Sequence, residues 1–207
     1  MSKKGKMFIV AAPSGAGKTS LVNAMVKEMT DVQISVSYTT RHPREGEVDG
    51  VDYHFIDERL FEQMVIDQAF LEYATVFGRH YGTGRQWVLD KLHQGIDIIL
   101  EIDWQGARQL RELFSQVVSI FILPPSMEEL AQRLIKRQQD EQEIIEERMA
   151  KAHAEMVHYN EFDYLIINRD FSTAKEQLKH IILAERLTLR DQQQAEAGLI
   201  AQLLQKP

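Results

Sequence analysis

The chain has no cysteine, which excludes disulfides, thiolate catalysis and cysteine-based zinc sites. Its seven histidines contain no His-Glu-x-x-His spacing, so the commonest zinc-hydrolase helix is missing as well. No apolar run approaches the roughly 20 residues needed to span a bilayer. The run 7–12 that follows the lysine-rich start is too brief for a secretory h-region. Positive charge is scarce: 24 Lys and Arg against 31 Asp and Glu leave a net −7, which argues against nonspecific binding to nucleic acid or to an anionic membrane. No stretch is rich enough in Gly, Ser or Pro to mark a linker, and no internal repeat recurs. These absences point to a cytoplasmic protein that must meet any anionic ligand locally.

What is present is a balanced composition, 44% hydrophobic and 27% charged over 207 residues. At roughly 150 residues per domain it reads as one domain with insertions. Short β-rich apolar runs alternate with longer stretches of helical period: 7–11 then 21–29, 96–102 then 107–114, 117–123 then 127–137. This is a βαβ rhythm. Runs such as Ile98-Ile99-Leu100 and Ile120-Phe121-Ile122-Leu123 are apolar on both alternating faces, which fits strands covered by helices on both sides. The expected class is α/β, with a doubly wound, mostly parallel sheet. Ser126-Met127-Glu128-Glu129 is a capping box, Gly95 is a C-terminal stop, and Ser172 or Thr173 can start the last long helix.

Two segments break the rhythm. Residues 35–84 hold an apolar run at 51–55, a helical pattern at 58–68 and a strand pattern at 70–76, punctuated by glycines, and read as a small antiparallel insertion. Residues 138–158 are strongly charged, with Ile144, Ile145, Met149 and Ala152 as a thin apolar stripe, and read as a mobile helical flap. The tail 191–207 ends in an amphipathic stretch that could pack on the core or on another subunit.

The chemistry starts directly after the first strand, with Ala12-Pro13-Ser14-Gly15-Ala16-Gly17-Lys18-Thr19 running into Ser20. This is the G-x-x-x-x-G-K-[ST] phosphate loop with Ala12 in place of the first glycine. Its glycines let backbone N–H groups turn inward around an anion at a helix N-terminus. Lys18 would reach the β- and γ-phosphates of a nucleoside triphosphate, and Thr19 offers a hydroxyl to Mg²⁺. A second constellation has Arg41 and Arg44 flanking a proline on a loop. Two guanidinium forks close together suit a phosphate dianion, although solvated arginines answering Glu45 and Glu47 would look the same in sequence. Ser37, Tyr53 and Tyr81 could serve the same ligand. Trp87 and Trp104 read as packing residues, and His153 and His158 lie off a common helical face.

Taken together, the phosphate loop, Ser-Val-Ser-x-Thr-Thr-Arg-x-Pro-Arg-x-Gly-Glu, Asp52-Tyr53-x-Phe55, Glu72-Tyr73-Ala74, Tyr81-Gly82-Thr83 and Glu101-Ile102-Asp103-x-Gln105-Gly106 resemble guanylate kinase over nearly the whole chain. The resemblance implies a five-stranded core (1–34, 85–137 and 159–190), a GMP-binding insertion (35–84), a helical lid (138–158) and a C-terminal tail. The implied reaction moves the γ-phosphoryl group of ATP, as MgATP, to GMP, giving ADP and GDP in guanine nucleotide synthesis and GMP recycling. Ser37, Arg41, Arg44, Glu47, Tyr53, Glu72, Tyr81, Thr83, Glu101 and Asp103 match GMP-side positions. Residues 12–20 and Asn168 match ATP-side positions. Arg133, Arg137 and Arg148 match lid and hinge arginines that reach the transferring phosphates, Arg137 also on the ATP side. Glu101 stands where the family often has aspartate, and Gln138-Gln139-Asp140 departs from the usual lid sequence. The base preference has a physical counterpart: guanine presents two adjacent donors that one buried carboxylate such as Glu72 can accept, whereas adenine would leave that acceptor unpaired.

Three rivals fit the sequence less well. A GTPase would share the loop, and Asp103-Trp104-Gln105-Gly106 satisfies D-x-x-G, but no Asn-Lys-x-Asp occurs. A kinase for AMP, a pyrimidine nucleotide or shikimate would not need the constellation from Ser37 to Tyr53. A catalytically dead protein-binding module would show a degraded phosphate loop, and here Gly15, Gly17, Lys18 and Thr19 are intact.

Overall fold

The apolar runs assemble into a five-stranded sheet. In this computed structural model, which describes residues 4–76, 78–137 and 142–205 without the side chains of 136, 137 and 142–147, the order is β2-β7-β1-β8-β9. The strands are β1 (Met7–Ala11), β2 (Val32–Ile34), β7 (Asp97–Leu100), β8 (Val118–Leu123) and β9 (Tyr164–Ile167), all paired in parallel. Alternation along β1 sends Phe8 and Val10 to one face and Met7 and Ile9 to the other. On the first face they meet Leu21, Val22 and Met25 of α1 (Lys18–Val26) and Ala174, Leu178 and Ile182 of α7 (Phe171–Glu185). On the second they meet Val88 and Leu92 of α3 (Arg85–His93) and Ala107 and Leu110 of α4 (Trp104–Leu113). Each fully buried aliphatic side chain contributes about 2 kcal/mol of transfer free energy. The doubly wound core is therefore secured from both sides. The three-residue β2 at the sheet edge carries too few residues for its periodicity to stand out.

The local signals mostly act as read. Ser126 Oγ accepts the Glu129 N–H at 3.2 Å at the start of α5 (Met127–Arg137), and α3 stops before Gly95. The last long helix starts earlier than expected: Asp170, not Ser172 or Thr173, is the cap, its carboxylate accepting the Thr173 N–H at 2.8 Å. Trp87 is exposed rather than packed.

The insertion is a second sheet, ordered β4-β3-β6-β5, of β3 (Tyr38–Thr39), β4 (His54–Phe55), β5 (Phe70–Val76) and β6 (Arg79–Gly84). It departs from the antiparallel expectation at one pair: β3 and β4 run parallel, because the long connection between them brings the chain back in the same direction. Helix α2 (Glu58–Ile66) covers the sheet with Phe61 against Phe70 at 4.7 Å between ring centroids. The edge strand β5 is clamped to the core by the Gln109 amide, whose Nε2 donates to the Tyr73 carbonyl at 2.8 Å and whose Oε1 accepts the Tyr73 N–H at 3.2 Å. This answers backbone groups that a bare sheet edge would leave open.

Helix α6 (Gln142–Met156), joined by a 3₁₀ turn (Val157–Glu161) to β9, rests on α5 through Ala152, Met149 and Met156 against Leu130 and Leu134. Ile144 and Ile145 of the expected stripe lie outside the described side chains. The tail forms α8 (Leu189–Ala195) and α9 (Ala197–Leu203), whose Leu199 and Leu203, like the following Leu204, stay exposed rather than packed on the core. No helix among the described residues is long and apolar enough to cross a membrane.

One polar tie fastens the C-terminal helices to the sheet. Buried Asp97 accepts the Lys6 N–H at 2.7 Å and Arg186 Nε at 2.6 Å. Asp97→Ala strands a largely buried guanidinium, and we expect a loss of about 3 kcal/mol, read from the urea midpoint.

Candidate active site

The carboxyl ends of β1, β7 and β9 converge on one edge of the core sheet, the place where open α/β sheets bind ligands. From β1 the chain turns through the phosphate loop into α1. Gly15 and Gly17 carry it at φ +88° and +95°, a region closed to side chains at little strain. Gly17 is the N-cap, with no side-chain cap to its helix, so the first N–H groups of α1 remain available to an anion. Lys18 opens this helix and Thr19 is exposed beside it.

The outside of the loop is braced from the far strand. Buried Asn168, just past β9, donates its Nδ2 to the Ala16 carbonyl at 2.8 Å. Arg133 on α5 reaches the same carbonyl and that of Asn168, each at 3.4 Å, while Glu129 holds its Nε at 3.0 Å. Both residues therefore support the loop from behind in this state, a position the sequence pattern did not reveal. Arg148 sits on α6, and the Arg137 side chain lies outside the described residues.

Across the cleft, β3 and its following loop carry the expected arginine pair. Glu47 organises it: Oε1 accepts Arg41 Nη2 at 2.8 Å and Oε2 accepts the Arg44 N–H at 2.7 Å. The Glu47 contact raises the Arg41 guanidinium pKa further, and Arg41 in turn holds the Glu47 carboxyl below its ordinary value. Arg41 lies 5.3 Å from the Tyr53 ring centroid, and Tyr53 lies 6.0 Å from Tyr81. Burial, with the neighbouring Tyr81 and Glu101, pushes the Tyr53 phenol up, so it stays a hydrogen-bond donor. Ser37 belongs to the same rim, its carbonyl accepting the His54 N–H at 2.9 Å. Arg44 is exposed.

The floor between these two halves is acidic. Glu72 on β5 is 4% exposed and faces Thr83 on β6, whose Oγ1 donates to its Oε1 at 2.5 Å. Its other oxygen lies so close to Gly106 that a Cβ there would sit 2.3 Å away. Burial, reinforced by the nearby Asp103, pushes Glu72 up to about 7. Asp103 caps α4 through the Gly106 N–H at 3.0 Å. Burial raises it as well, against the pull of that N–H and of Lys18. Oε1 of Glu101, at the end of β7, is buried without a hydrogen-bond partner among the described residues.

The family profile described as guanylate kinase matches residues 4–185. The chain belongs to the guanylate kinase family. It is 57% identical over 203 residues to the guanylate kinase of Coxiella burnetii, covering 98% of each chain. It is 53% identical over 203 residues to that of Salmonella typhi, covering 97% of this chain and 98% of the other. The crystal structure of guanylate kinase from Anaplasma phagocytophilum superposes with a TM-score of 0.77 at 33% identity, covering 91% of this chain and 90% of that one.

In guanylate kinase terms, the structure gathers the phosphate loop, Asn168, Arg133, Glu101 and Asp103 on the core edge, with Ser37, Arg41, Glu47, Tyr53, Glu72, Tyr81 and Thr83 facing from the insertion. Sequence reasoning missed Gly106 as the gap that admits Glu72. A glycine in the first turn of a helix, three residues after its Asp cap, was the available signal. It also missed Glu155 on α6, for which no local signal exists.

Between its ordinary value of 4.5 and about 7, native Glu72 keeps a proton that the unfolded chain has released. Stability of the unliganded protein therefore falls as pH rises through that window, by roughly 3 kcal/mol in all. Glu72→Gln should flatten most of that fall, leaving the share of Asp103; urea midpoints measured from pH 4.5 to 7.5 on both proteins decide it.

Proposed function

We infer that this chain transfers the γ-phosphoryl group of ATP to GMP, releasing ADP and GDP. The observation that carries the reading is a phosphate loop at the edge of the core sheet faced by a buried carboxylate, Glu72, on the sheet of the insertion. Its family membership supports the same reaction. The enzyme is a nucleoside monophosphate kinase.

The N–H groups of the loop and of the start of α1, apart from that of Ala16, which donates to the Pro13 carbonyl at 3.1 Å, take the β- and γ-phosphates together with the Lys18 ammonium. Across the cleft, Arg41, Arg44, Tyr53 and Tyr81 take the GMP phosphate. Arg41 arrives pre-aimed because Glu47 already holds it, so little side-chain freedom is lost on binding. Glu72, with Thr83 and Ser37, accepts the N1 and N2 protons of guanine. A carboxylate so buried gains most from donors that neutralise it, and adenine offers none there. Fixing both nucleotides converts the reaction to a positional problem: a GMP phosphate oxygen in line with the γ-phosphorus, and cations around the charge that spreads in between. GMP's phosphate is already ionised at neutral pH, so no general base is needed. Arg133, Arg137 and Arg148 add positive charge when the lid comes over the phosphates, which also excludes water.

Among the described residues no cluster of three or more His, Asp, Glu or Cys could hold a metal by itself. The donor set fits an ion that arrives on the nucleotide: the Thr19 hydroxyl, exposed beside the loop, would hold it. Mg²⁺ supplies charge neutralisation of the phosphates. We place the enzyme in the cytoplasm with its nucleotides.

Lys18→Ala should lower kcat by a factor on the order of 10³ while circular dichroism stays native. Arg41→Ala should raise the KM for GMP with little effect on that for ATP; equal effects on both would show the subsites are misassigned. An ADP-release assay with GMP, AMP, UMP or no acceptor tests the reaction itself, and the reading fails if GMP gives no more ADP than the blank.

A further inference from the structure

Helix α6 presents to the phosphate loop a carboxylate for which the reaction has no role. Oε2 of Glu155 accepts the Ser14 N–H at 3.2 Å, across 141 positions of sequence. Ser14 is in the loop, immediately before the left-handed Gly15, and its N–H is one of the donors that a phosphate oxygen would use. The side chain is half-buried there. Burial pushes the Glu155 carboxyl up and Asp103 adds to this, while the Ser14 N–H and the charge of Lys18 pull it down. The carboxylate thus lies within the field of the same lysine that would receive the β- and γ-phosphates.

The packing beneath makes this contact a property of the lid. The leucines that seat α6, Leu130 and Leu134, also lie under the loop, where a Cβ on Gly15 would meet each at 3.0 Å. Loop, α5 and α6 form one stack, and Glu155 closes it at the open side. A carboxylate oxygen and a phosphate oxygen are equivalent partners for a backbone N–H, and both are drawn to a helix N-terminus. They cannot share one donor, and like charges repel at that range.

We propose that Glu155 is an internal ligand of the phosphate loop, which holds α6 down until the triphosphate of ATP displaces it. The proposal rests on the reading of this loop as the ATP site. Arg148 lies two turns earlier on α6, on the face shared with Ala152 and Glu155. Displacing the carboxylate therefore frees the helix that carries a lid arginine. ATP, rather than GMP, becomes the nucleotide that frees α6 from this resting contact, so that Arg148 comes over the phosphates.

Removing the charge should strengthen ATP binding, the opposite of what loss of an ordinary site or packing residue does. We expect Glu155→Gln and Glu155→Ala to bind a nonhydrolysable ATP analogue more tightly, on the order of tenfold, with GMP affinity unchanged, both by calorimetry at fixed ionic strength. Intact GMP binding shows that each variant is folded. An analogue affinity equal to or weaker than wild type in both variants overturns the proposal. Because the chain lacks native cysteine, spin labels at Lys27→Cys and His153→Cys report the lid directly. The apo Glu155→Gln distance distribution should differ from apo wild type and match wild type with the analogue; identical apo distributions overturn the latch. Wild-type GDP production is measured alongside. Its absence with the binding pattern intact would sink the reaction and leave the latch standing, whereas GDP production with unaltered variants would do the reverse.

Discussion

Everything at this site depends on a turn of backbone that gathers N–H groups on one side: the Ala16 N–H is met within the turn by the Pro13 carbonyl at 3.1 Å and the Ser14 N–H from outside by Glu155, while the start of α1 has no side-chain cap and is left for an anion. Such a turn is costly to hold, because peptide dipoles of the same sign are crowded together and two residues occupy left-handed space. The structure stabilises it from the outside. The Ala16 carbonyl is occupied by the Asn168 amide and approached by Arg133, and leucines from α5 fill the space under Gly15. With its carbonyl side anchored, the loop has its donor side set for an anion before any arrives, which is preorganisation in the sense that matters for charge stabilisation.

The second half of the site solves the inverse problem. Where the loop concentrates donors, the floor under the insertion concentrates acceptors: burial raises the proton affinity of Glu72 and Asp103, Asp103 adds to that of Glu72, and Oε1 of Glu101 is buried without a hydrogen-bond partner among the described residues. That arrangement is unfavourable in the empty protein and becomes favourable when a ligand brings donors. Opposed regions of unmet hydrogen-bonding capacity, one for anions and one for N–H groups, describe a molecule that is anionic at one end and donor-rich at the other. A guanosine phosphate is such a molecule.

Much of this was legible in the sequence, and the reason is locality. The phosphate loop, the arginine pair with Glu47, and the Ser126 cap each complete their geometry within a few residues, so spacing alone carries them. The parallel core could be read because β1, β7 and β8 are apolar on both faces. What escaped was set by contacts between distant segments. Val32–Ile34 is too short to show a period. The parallel pairing of β3 with β4 depends on the path of a loop. The bracing role of Asn168 and the reach of Glu155 join residues separated by 152 and 141 positions. No window of sequence contains both partners.

Gly106 ties two of these themes together. The carboxylate on β5 comes as close as it does only because the first turn of α4 carries a hydrogen there instead of a methyl group, and the same residue's N–H receives the helix cap from Asp103. The aim of Glu72, which we propose reads the base, is thus governed by an element in the other sheet's layer. A route toward a different nucleobase by single changes within the insertion is therefore obstructed: reshaping the acceptor also means reshaping the helix start behind it, and two steps that are each unfavourable alone must be taken together. Fidelity in this enzyme is, in that sense, a property of the seam between its two sheets.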